Sequence, residues 1–130
     1  MAQTAKQQTG KTGEDIAVKH LVKHSFQILD RNYRKKWGEI DIIAKKDKII
    51  HFIEVKSIRY EADMPIRYEN HQPEENIHLW KRKRLARAIK TYLADKKISD
   101  ETEWQVDMMA VFLDFKIRRA KIRMTENILL

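Results

Sequence analysis

Three ionisable residues stand where strands want apolar side chains. Asp41 lies between Ile40 and Ile42, and Glu54 and Lys56 flank Val55 after the run Ile49-Ile50-His51-Phe52-Ile53. Residues two apart on an extended chain point the same way, so Glu54 and Lys56 share a face. If Lys46-Asp47 is a two-residue hairpin turn, Lys45 pairs with Lys48, and Asp41 falls opposite Phe52 and diagonal to Glu54, on that same face. A turn one residue longer or shorter would reverse this parity. Burying three charges is costly even when they are paired, so the group reads either as a structural salt-bridge cluster or as a set kept for chemistry; the second reading is preferred. Two carboxylates so placed make a hard oxygen site for a magnesium ion. A lysine beside them can orient or deprotonate an attacking water, or neutralise a pentavalent phosphate. Those are the requirements of phosphodiester hydrolysis.

The elements that must hold these residues follow from periodicity. Residues 1–9 read as a flexible arm, and Ile16, Ala17, Val18, Leu21 and Val22 recur at helical spacing from Glu14 to about His24. Phe26 to Tyr33 predicts a short strand ending in the basic turn Arg34-Lys35-Lys36-Trp37-Gly38, and the runs from Glu39 and from Ile49 predict a hairpin. Residues 58–76, with Tyr60, Tyr68, Pro65 and Pro73, read as a long loop, of the kind that is usually functional or mobile. Ile77, Trp80, Leu85, Ala88, Ile89 and Tyr92 then mark a second helix with a strongly basic opposite face. Trp104 to Leu113 predicts a buried strand, and the stretch to Met124 an imperfectly alternating last one. The order α-β-β-β-α-β-β predicts one α/β (α+β) domain over residues 1–130, a mixed sheet covered by helices.

The residues Gly13-Glu14, Arg31-Asn32-Tyr33-Arg34, Gly38-Glu39-Ile40-Asp41-Ile42-Ile43-Ala44 and Phe52-Ile53-Glu54-Val55-Lys56 resemble the YraN-like family of proposed endonucleases. Asp41 followed by Glu54-Val55-Lys56 is similar to the D…(D/E)xK pattern of the restriction-endonuclease-like nuclease superfamily, with archaeal Holliday-junction resolvases as more distant look-alikes. The resemblance spans most of the chain from about Gly10. It implies a restriction-endonuclease-like core, a divalent metal (Mg2+ or Mn2+) held by Asp41, Glu54 and the Val55 carbonyl, Lys56 as the catalytic lysine, and Glu14 as an acid completing the site. Glu14 reads equally well as a first-turn acid favoured by the helix dipole. Glu39 falls on the strand face of Asp41 without being counted as a ligand. The sequence departs from the family after Lys56, where Ile58 replaces the usual arginine and Arg59 follows one place later.

Composition points to the partner. The 130 residues carry 27 Lys and Arg against 19 Asp and Glu, a net charge of +8, and no cysteine. The lack of cysteine excludes disulfide scaffolds, thiolate metal sites and cysteine nucleophiles. With neither a signal-like N-terminus nor a long apolar run, the expectation is a cytoplasmic protein without a membrane partner. Arg34, Lys35, Lys36, Lys81, Arg82 and Arg84 are the expected contacts to phosphates, which position a nucleic acid without reading its sequence. Trp37, Tyr60 and Tyr68 are candidates to stack on bases, and Trp37 reads equally well as packed in a turn. His20 and His24 show no third ligand nearby and read as surface residues, His51 as a packed or edge residue, and Asp107 as either a buried hydrogen-bonding group or a catalytic one. The expectation is a metal-dependent endonuclease acting on DNA, on structured or branched substrates without strong sequence preference. The alternative is a nucleic-acid-binding protein that keeps the nuclease fold and does not cut. A homodimer is left open, with the apolar strand around Met108 as a candidate interface.

Overall fold

Thr4 fixes where the chain becomes helical. Its Oγ1 accepts from Gln7 N at 3.1 Å and Gln7 Oε1 accepts from Thr4 N at 3.0 Å, a reciprocal cap that satisfies two otherwise orphaned N–H groups. The computed structural model describes residues 4–60 and 79–130. In it helix α1 runs Ala5–Lys23, so it begins inside the segment expected to be an arm and well before Glu14. Thr9, Gly13, Ala17 and Leu21 form its buried face at four-residue spacing.

The strands are β1 (Gln27–Lys35), β2 (Gly38–Lys46), β3 (Ile49–Arg59), β4 (Trp104–Asp114) and β5 (Arg119–Thr125), with helix α2 (Leu79–Asp95) between β3 and β4. They form one mixed sheet in the order β1-β2-β3-β4-β5. The β3–β4 pair is parallel and the others are antiparallel. A parallel neighbour requires a crossover, and the segment containing α2 supplies it. The sequence reading of a mixed α/β sheet with flanking helices holds. β3 continues through Arg59, pairing Ile58 with Phe112, so the long connection starts later than Ile58. Its remainder from residue 61, with Pro65, Tyr68, Pro73 and Ile77, and the side chain of Trp80 lie outside the described residues.

Two apolar clusters sandwich the sheet. Leu85, Ala88, Ile89 and Tyr92 of α2 meet Ile40, Ile43, Ile50, Phe52 and Val106. On the other side Ala17 and Leu21 of α1 meet Ile42, Ala44, Ile53, Met109, Val111 and Leu113. Met108 is buried within β4, which has strands on both sides, so that strand is not an exposed surface available for pairing subunits. No described helix is long and apolar enough to cross a membrane.

Gly13 sets how closely α1 lies on β3. A Cβ there would fall on the hydroxyl of Ser57. Alanine normally stabilises a helix interior relative to glycine. Here we expect the opposite: Gly13→Ala lowers stability by about 1–3 kcal/mol through overpacking. The midpoint of urea unfolding measures this, and Gly13→Ala combined with Ser57→Gly should recover most of the loss.

Candidate active site

The β2–β3 hairpin turns at Asp47-Lys48, both in left-handed conformation (φ 50° and 68°), with Lys46 paired to Ile49. The turn lies one residue later than Lys46-Asp47. That moves the cross-strand register by two and leaves the parity intact. Ile42 pairs with Ile53, and continuing the register sets Asp41 directly across from Glu54 rather than diagonal to it.

Strand β2 does not keep one face throughout. Ile40 and Ile43 belong to the cluster under α2, whereas Ile42 and Ala44 belong to the cluster under α1. Side chains two apart on a regular strand share a face, so the strand turns over at Asp41. Asn32, opposite it in β1, has a left-handed φ of 52°. Asp41 therefore enters neither apolar layer. Its Oδ2 accepts from Val55 N at 2.8 Å, which anchors the carboxylate against β3 just beyond the Ile42–Ile53 pair. The Val55 carbonyl projects from the same edge of the strand as its N–H, toward that gap.

Glu14, Asp41, Glu54, Val55, Lys56 and Lys81 all line one cleft of about 490 Å³. Glu54 is only 6% exposed. Its Oε2 lies 3.5 Å from Lys81 Nζ at the start of α2. Burial, followed by repulsion from Asp41, pushes Glu54 up to about 8, against the pull of Lys81. Burial likewise pushes Asp41 up to about 6, opposed by the Val55 hydrogen bond, with Glu14 and Glu39 adding repulsion. Glu14 is the tenth residue of α1, which removes the first-turn dipole explanation for it. Its carboxyl is also raised, first by burial, and its Oε1 is buried with no hydrogen-bond partner among the described residues.

Half-buried Asp41 and buried Glu54 stand across from each other, and among the described residues only Lys81 forms an ion pair with either. A cation between them would relieve the repulsion that raises Glu54. The donor set is hard: two carboxylates, a strand carbonyl and solvent, the kind magnesium or manganese takes. Among the described residues, Glu14, Asp41 and Glu54 do not bring three ligand atoms within 4.8 Å of one another. Asp41, Glu54 and the Val55 carbonyl are the donors that could hold such an ion, and Glu14 lines the same cleft. Lys81 was legible in the sequence only as part of a basic helix face; its pairing with Glu54 depends on where α2 docks.

A second cleft of about 300 Å³ adjoins the first and shares Glu39, Glu54 and Lys81 with it. Arg34 and Lys35 from β1 and Arg84 from α2 line it. These walls are clamped together. A Cβ on Gly38 would approach Arg84 O to 2.6 Å, Arg84 Nε donates to Trp37 O at 3.1 Å, and Trp37 Nε1 donates to Thr91 Oγ1 at 3.2 Å. Arg87 covers the Trp37 ring at 4.8 Å, so Trp37 is a brace between turn and helix rather than a free surface for a base. Lys36 is exposed at the turn, whereas Arg82 is half-buried and lines neither cleft. Arg59 lines the first cleft, bringing a cation to its wall from one position beyond Ile58.

Asp107 is fully buried; it pairs with Ile53, next to Glu54, but its side chain is held by His51, Gln105 and Asn127 in three hydrogen bonds, so its role in the fold is hydrogen bonding. A profile of the uncharacterised protein family UPF0102 matches residues 13–111. A UPF0102 protein of Campylobacter hominis is 40% identical over 119 residues, covering 92% of this chain and 91% of that one. One of Caldicellulosiruptor bescii is 33% identical over 120 residues, covering 92% and 95%. One of Campylobacter jejuni is 38% identical over 102 residues, covering 78% and 81%.

Proposed function

The chain belongs to the uncharacterised protein family UPF0102, the YraN-like family of the sequence resemblance, and from that premise and the cleft we propose a divalent-metal-dependent endonuclease that hydrolyses phosphodiester bonds in DNA. The carrying observation is the pair Asp41 and Glu54, set across two strands in one cleft with Lys56, the first half-buried and the second buried, both with carboxyls raised by that burial and by neighbouring acids. Asp41, Glu54 and the Val55 carbonyl would hold Mg2+ or Mn2+. Such an ion, when bound, polarises a phosphoryl oxygen and makes water a better nucleophile near neutral pH.

The remaining work falls to side chains of the chain. Lys56, exposed on the cleft wall, orients the attacking water and offsets the charge that grows on the phosphate. Lys81 holds Glu54 in place from α2. Glu14, close enough to raise the Asp41 carboxyl by repulsion, adds negative charge that would draw the ion into the cleft. Arg34, Lys35 and Arg84 line the adjoining groove, where they meet backbone phosphates; such contacts carry no base information, in keeping with a substrate chosen by shape rather than sequence.

The direct test is incubation of the purified protein with supercoiled plasmid, single strands and branched duplexes, in magnesium or manganese and in EDTA. Nicking that needs the metal supports the reading. Binding to all of these without cleavage in either metal would instead favour the non-cutting alternative. A separate expectation concerns the groove: Lys35→Ala with Lys36→Ala should weaken DNA binding for all sequences alike. Its dependence on log salt should flatten by about 0.7–0.9 per lost phosphate contact, read from a fluorescence-anisotropy titration series.

A further inference from the structure

We propose that this chain carries a second cation site, separate from the Asp41–Glu54 cleft, formed by His51, Asp107 and Glu126 and suited to zinc. It does not rest on the nuclease reading. His51 is three residues before Glu54 on β3, so it projects from the other face of the strand, roughly 10 Å nearer the β2–β3 turn. There it meets Asp107 of β4 and Glu126, just past β5. One potential ligand atom from each of the three lies within 4.8 Å of the others.

The buried part of this site is organised in advance. Asp107 is 0% exposed; its Oδ1 accepts from Gln105 Nε2 at 2.8 Å and from Asn127 N at 2.9 Å. Its Oδ2 lies 2.5 Å from His51 Nδ1. An ion here would take the place of the proton between Oδ2 and Nδ1, with Glu126 as the third donor. His51 is 6% exposed, and its Nε2 has no hydrogen-bond partner among the described residues. The ring borders a cleft of about 530 Å³, lined also by His24 and Glu126.

The chemistry of the donors selects the ion. Two carboxylates alone would suit magnesium, but an imidazole beside them shifts the preference to zinc and its neighbours. Lys46, the nearby cation in the cleft lining, rests its ammonium on the Phe26 ring 5.0 Å away. His24 has its Nδ1 on His20 O at 2.7 Å, which leaves Nε2 as a further donor. His24 lies on the wall of the same cleft as His51 and Glu126, outside the three-residue group. An ion there would tie β3 and β4 to the chain end after β5.

Zinc binding to the full chain, followed by isothermal titration and by melting temperature, tests this. The starting protein is Asp41→Asn with Glu54→Gln, which disables the other cleft. We expect it to bind one equivalent of zinc and to melt higher when loaded. Adding Glu126→Gln, an exposed change that leaves the core intact, should weaken zinc binding at least about tenfold, as should His51→Gln. Absence of zinc binding by the double variant would overturn the site. So would an unchanged affinity in Glu126→Gln, which decides the matter even if His51→Gln fails to fold.

Discussion

Asp41→Asn, Glu54→Gln and Lys56→Ala are each expected to reduce metal-dependent DNA nicking by about 10³-fold or more, the scale lost when a preorganised electrostatic partner of the reacting phosphate is removed. The first two changes are nearly isosteric. Asparagine can still accept from Val55 N, and glutamine keeps the volume of Glu54, so the loss would report missing charge at the ion rather than a collapsed cleft. Lys56 is exposed and its removal leaves no buried group orphaned. DNA affinity should survive in all three, since the cations of the adjoining groove are untouched. Glu14→Gln should cost less, about tenfold, because Glu14 flanks the ligand set without joining it. A time course of supercoiled-to-nicked plasmid at saturating magnesium measures the series. Full cleavage by the first three variants would remove the assignment, and an equal loss in Glu14→Gln would enlarge the ligand set.

The second large effect concerns stability. Asp41 and Glu54 titrate higher in the folded chain than in the unfolded one, at about 6 and about 8 against ordinary values of 3.8 and 4.5. Below the unfolded values both states hold these protons and the pair contributes nothing. Between there and pH 8 the folded state binds more protons, so stability falls as pH rises, the reverse of the usual carboxylate case. In EDTA the protein should therefore melt lower at pH 8 than at pH 5. Magnesium should restore much of the difference at pH 8, and its affinity should climb across the same range, because the ion must displace the protons. Glu54→Gln removes the more strongly shifted charge and should stabilise the EDTA-treated protein at pH 8 by about 3 kcal/mol, because burial and Asp41 outweigh the pull of Lys81, or by roughly 10 °C in melting temperature. Scanning calorimetry at both pH values, with and without magnesium, checks this. A wild-type melting temperature that does not fall between pH 5 and pH 8 in EDTA would contradict the burial of charge on which the site depends.

The two tests interrogate the same carboxylates through different properties. Catalysis depends on what they hold, and stability on what it costs to leave them without it. A protein that passes the second and fails the first has the cation site without the reaction, which separates the binding alternative from the enzyme.

Much of this arrangement could be read along the chain. Strand alternation is a local rule with a period of two, so Asp41, Glu54 and Lys56 could be assigned to a common face before any fold was known, and because the turn lies one residue later the register shifts by an even number and leaves Asp41 across from Glu54. The helix start is also locally encoded, in the Thr4–Gln7 capping box, although the apolar spacing that marks the helix begins only near Glu14. Other features have no local trace. The reversal of β2 at Asp41 appears only once each neighbour is known to face one helix or the other. Glu14 enters the cleft because Gly13 lets α1 lie against Ser57, Lys81 reaches Glu54 because α2 docks on the β1–β2 turn, and Glu126 meets His51 only after β5 has folded back along β4. Backbone period and side-chain type carry information between near neighbours, and they specified the strands and the paired acids. Charge balance, burial and the company each acid keeps are sums over groups far apart in the chain, and close packing of the two helices on the sheet is what brings those groups together.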